Sequence, residues 1–66
     1  MAEKTEIDTL NKQMVAVNGG DIIVMNPRHR MSKPDAILHA AWLVALADES
    51  EDNADFRRVL EAVMSL

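Results

Sequence analysis

The chain has no cysteine, which excludes a disulfide framework and every thiolate zinc site. It has no tyrosine either. Enzymatic chemistry needs a nucleophile or base held by a partner group, and what remains is the scattered Ser32, Ser50 and Ser65 with two histidines. No triad or phosphate loop can be assembled from these, and the expectation is a non-catalytic protein without a cofactor. Long hydrophobic runs are also missing. The longest nearly apolar stretch, Ala36 to Ala47, is about half of the roughly 20 residues a membrane-spanning helix needs. Glu3, Lys4, Glu6 and Asp8 interrupt the start of the chain where a secretory leader would be apolar. The expectation is a cytoplasmic protein with no membrane partner.

At 66 residues the chain can form one domain, and a domain of this size buries only about 60% of the surface its unfolded chain exposes. Small domains are reinforced by disulfides, a metal or a partner subunit. With disulfides excluded and no metal motif present, an oligomer is expected. The formal net charge of −4 argues against general nucleic-acid binding, which calls for a basic face. The charges are unevenly placed. Arg28, Arg30 and Lys33 cluster in one connector, whereas Asp48, Glu49, Glu51, Asp52 and Asp55 cluster in another.

Residues 1–12 read as a polar arm and 13–66 as a single small domain. In the arm, Ile7 and Leu10 share one face of a possible short helix, with Thr5 and Asp8 at capping spacing. Two β-branched runs, Met14 to Val17 and Ile22 to Met25, flank Asn18-Gly19-Gly20-Asp21 and read as a β-hairpin, because a tight turn needs positive φ where Gly and Asn are least strained. That turn places Val17 opposite Ile22 and Val15 opposite Val24. Pro27 ends the second strand, since it has no donor for a continuing ladder. Ser32-Lys33-Pro34-Asp35 then opens a helix, with Ser32 as the cap, Pro34 in the first turn and Asp35 closing a capping box. This helix is expected over about 33–47 and a second over about 54–65. The second is amphipathic, with Phe56, Val59, Leu60, Val63 and Met64 on one face. The first is apolar all round apart from His39 and so wants cover on every side. The predicted fold is therefore α+β, a ββαα order, in an oligomer.

The stretch Asp21 to Pro27, the segment Ser32 to Asp48 and the closing Phe56 to Val63 resemble a group of short uncharacterised proteins of tailed bacteriophages. Ala40-Ala-Trp-Leu-Val-Ala-Leu-Ala-Asp48 is the most specific part. The resemblance carries no catalytic or binding residue with it. It implies a class, the small phage accessory proteins that bind and inhibit a host component, including defence systems.

Arg28, His29, Arg30, Ser32 and Lys33 form the candidate ligand- or partner-binding set. Helix N-termini attract anions through free N–H groups and the helix dipole, and flanking arginines add bidentate contacts to carboxylate or phosphate. This set fits an acidic partner surface or, as the alternative, a small phosphate-bearing ligand such as a nucleotide. It also fits a solvated basic loop that balances Asp35 and the acidic turn. The acidic run from Asp48 is not a calcium loop, because Asn53 stands at its sixth position and Val59 at its twelfth; a solvated turn complementing a helix start is expected. Leu38, His39, Trp42 and Leu46 are the candidate subunit interface. His39 and His29 lack the i, i+4 spacing of a helical metal pair, so no metal site is expected.

Overall fold

A computed structural model describes residues 7–66. Its elements are β1 (Val15–Asn18), β2 (Asp21–Val24), α1 (Lys33–Ala47), a short 3-10 turn (Glu51–Asn53) and α2 (Ala54–Met64). The architecture is the α+β order ββαα. Strands β1 and β2 pair antiparallel with Val15 opposite Val24, Ala16 opposite Ile23, Val17 opposite Ile22 and Asn18 opposite Asp21. Gly19 takes the left-handed φ of 63° that closes this two-residue turn, a conformation strained for any side chain with a Cβ.

The segment before the hairpin is tied to it in a way that extends the ribbon. The Asn11 side chain behaves like a short third strand: its Nδ2 donates to the Val15 carbonyl at 2.8 Å and its Oδ1 accepts from the Val15 amide at 2.8 Å. Beyond the ladder, the Met25 amide reaches the Met14 carbonyl at 3.2 Å and the Asn26 amide reaches the Gln13 carbonyl at 3.0 Å. Residues 7–11 form no helix. Thr5, the other half of the proposed arm cap, lies outside the described residues.

Helix α1 starts where the capping residues place it. Ser32, in extended conformation at ψ 162°, accepts from the Asp35 amide through Oγ at 3.2 Å, and the helix closes with the Asp48 amide on the Val44 carbonyl at 2.8 Å. The helix lies against both strands of the hairpin. Val15 is the one buried apolar side chain and Gln13 the one buried polar side chain among the described residues, at 3% and 4% exposure. The core is therefore thin. A radius of gyration of 13.8 Å exceeds the roughly 11 Å expected of a compact chain of this length, and Phe56 is the one residue of α2 that is not exposed.

Candidate functional site

The connector between β2 and α1 leaves Arg28, His29 and Arg30 exposed, and Ser32 and Lys33 are exposed beside them at the helix start. The local physics differs from a vacant helix N-terminus. Ser32 Oγ is taken by the Asp35 amide, and the Asp35 carboxylate accepts from Lys12 Nζ at 3.0 Å. Lys12 also pairs with Asp8 at 3.0 Å, so one lysine bridges the arm and the start of α1. Hydrogen bonding to Lys12 holds the Asp35 carboxyl below its ordinary value, with lesser help from Ser32 and the charge of Arg28. Asp8 is lowered first by the Leu10 amide and then by Lys12, and Lys12 is raised by bonds to Asp8 and Asp35.

The remaining cations divide cleanly. Arg58 pairs with Asp55 at 3.0 Å, and Arg57 donates to the Asp52 carbonyl. Arg28, Arg30 and Lys33 have no ion pair or side-chain hydrogen bond among the described residues. The connector thus presents three unneutralised cations and His29 to solvent.

The candidate interface residues sit elsewhere. Leu38, His39, Trp42 and Leu46 are half-buried on α1. Trp42 Nε1 donates to the Thr9 carbonyl at 3.2 Å, which fastens the described end of the arm across the helix. His39 and Gln13 line a void of about 10 Å³ with Asn11, Lys12, Asp35, Leu38 and Trp42. Both Gln13 Oε1 and His39 Nδ1 are buried there without a hydrogen-bond partner among the described residues. Gln13 carries no sequence signal for burial, because a glutamine just ahead of a strand reads as solvent-facing.

The acidic turn is structural. The Asp48 carboxylate accepts from the Ser50 amide at 2.8 Å, from the Ser50 hydroxyl, and from the Phe56 amide at 2.9 Å. Ser50 Oγ in turn accepts from the Asp55 amide at 3.0 Å. Together they cap α2 across the left-handed residues Asp52 and Asn53, so the cap lies outside the immediate N-cap position, Asn53, whose side chain makes no capping bond. These bonds, the Ser50 hydroxyl first, lower the Asp48 pKa.

Apolar grooves run along α1. One of about 670 Å³ is bounded by Ile7, Pro34, Ile37, Leu38, Trp42 and Ala45. Another of about 490 Å³ opens between Ile37, Ala41 and Val44 of α1 and Phe56 and Leu60 of α2. Among the described residues no group of three or more His, Asp or Glu side chains is placed to hold a metal ion, and no helix is long and apolar enough to cross a membrane. No family model, curated protein or solved structure matches the chain.

Proposed function

We propose that this is a non-catalytic interaction protein whose partner-binding surface is the basic connector, Arg28, His29, Arg30 and Lys33. The observation that carries this reading is the division of cations: Lys12 and Arg58 are neutralised by carboxylates and Arg57 is bonded to a carbonyl, whereas the connector's three cations remain open to solvent. Charges arranged this way recruit an acidic surface and raise its rate of encounter. The resemblance to short tailed-phage proteins directs the reading to an inhibitor of a host protein acting in the host cytoplasm.

The alternative is a small phosphate-bearing ligand at the same connector. The exposed arginines favour it, and the Asp35 carboxylate at the helix start opposes it by occupying the positive end of the dipole. Pull-down from a bacterial host lysate beside a thermal-shift panel of nucleotides separates the two. A retained protein that is lost with Arg28→Glu plus Arg30→Glu supports the inhibitor. A rise in melting temperature with nucleotides and no retained protein supports the ligand. The double substitution lies on exposed residues, where stability changes by less than about 0.5 kcal/mol. Partner binding that survives it overturns the site.

A further inference from the structure

We propose that α2 pairs antiparallel with α2 of a second copy of this chain, closing the apolar face that the single chain leaves open. This goes beyond the partner reading above, which concerns a different surface and stands or falls separately. Val59, Val63 and Met64 are 58%, 57% and 76% exposed, and Leu60 is 41% exposed. They share one helix face at 3.6-residue spacing. Between α1 and that face lies an open groove, lined by Phe56 and Leu60 of α2 and by exposed Ile37, Ala40, Ala41 and Ala45 of α1.

The surface area says how much cover is needed. The chain exposes 5980 Å², against about 4,200 Å² for a compact monomer of its mass. One partner in a standard stable interface contributes about 800 Å². The chain therefore leaves enough surface uncovered for a specific dimer interface.

The charges of α2 say which partner fits and in which direction. The helix carries two acids, Asp55 and Glu61, and two bases, Arg57 and Arg58, so its net charge is zero and it neither repels a copy of itself nor selects a strongly charged partner. With a two-fold axis near Val59 and Leu60, antiparallel helices bring Arg57 level with the partner's Glu61, and Phe56 level with the partner's Ala62 and the partner's Val63. A parallel pair instead sets the flank of Arg57 and Glu61 against the opposite flank of the partner helix and forgoes that pairing. Glu61 has no ion-pair partner among the described residues of its own chain.

The absence of native cysteine makes the test clean. Sedimentation velocity of the wild type at micromolar concentration is expected to show a dimer, and Val59→Asp a monomer of unchanged helicity. Leu60→Cys lies within one residue of the two-fold and is expected to oxidise to a covalent dimer in high yield, since facing positions of packed helices reach disulfide distance. Val63→Cys lies about 10 Å along the axis from its own symmetry mate, at 1.5 Å per residue, and is expected to remain a thiol under the same conditions. A monomeric wild type overturns the proposal and leaves the face to a different protein. Oxidation of Val63→Cys as readily as Leu60→Cys overturns the antiparallel arrangement.

Discussion

The two glycines of the hairpin turn are adjacent, equally uncrowded and conformationally unlike, and substituting each by alanine isolates a backbone effect. A Cβ placed on either Gly19 or Gly20 meets nothing within 4 Å, so neither substitution creates a clash. Gly19 sits at φ 63° and Gly20 does not take a positive φ. For an L-residue the left-handed region costs about 1–2 kcal/mol, whereas alanine at a compatible position gains about 0.4–1 kcal/mol by restricting the unfolded chain. Gly19→Ala is therefore expected to destabilise by about 1 kcal/mol, and Gly20→Ala to stabilise by about 0.5 kcal/mol, as order-of-magnitude values. The gap of about 1.5 kcal/mol is roughly tenfold in the unfolding equilibrium constant. Urea unfolding followed by fluorescence of the single Trp42 gives the comparison, at one fixed protein concentration, since association shifts apparent stability by mass action. Equal effects at the two positions would refute the turn assignment and the register that depends on it.

Ser32→Ala removes the hydroxyl that accepts from the Asp35 amide and should cost about 1 kcal/mol, read in the same urea assay, whereas Ser32→Asp should retain the cap. The pH dependence has two limbs. Asp8, Asp35 and Asp48 have pKa values lowered from 3.8 by their hydrogen bonds, so the unfolded chain binds protons first and their contribution, complete above about pH 5, is lost as pH falls below the ordinary carboxylate range. Lys12 is raised above 10.5, so its contribution is present below that value and lost as pH rises through the folded value. Lys12→Met should flatten the alkaline limb of the melting temperature against pH and shrink the acid limb, leaving the part due to Asp48, to the Leu10 amide on Asp8 and to Ser32 and Arg28 beside Asp35. An unchanged profile would mean that the bridge from Asp8 to Asp35 does not persist in solution.

What was legible in the sequence was what short-range chemistry determines. The hairpin register followed from Asn18-Gly19-Gly20-Asp21, because a two-residue turn admits one pairing of its flanks, and the observed pairs are those it admits. The bounds of α1 followed from Ser32, Pro34 and the run of apolar residues up to Asp48. The capping box was only half legible. Ser32 caps as expected, but the Asp35 carboxylate is drawn to Lys12, 23 residues earlier, in a contact that no local pattern encodes. The basic connector could be marked as a charge cluster, yet its distinction from the other cations depends on which carboxylates come near, a property of the folded chain.

The harder misses share one cause, that polar side chains can stand in for backbone. Asn11 satisfies both the amide and the carbonyl of Val15, and Asp48 with Ser50 caps a helix that begins six residues after Asp48. In composition these residues are ordinary loop formers, so the acidic turn read as solvated charge. The arm likewise read as polar and separate, although the Thr9 carbonyl receives the Trp42 indole across 33 residues. Helix α1 shows the converse. Its apolar circumference read as a demand for cover, but periodicity could not say which sides the chain would meet by itself. The hairpin and the arm take the side of Leu38, His39 and Trp42, which are half-buried, and leave Ile37 at 72% exposure beside the open face of α2. The uncovered sides thus fall on two neighbouring helices at once, which is where the proposed pairing with a second copy would act.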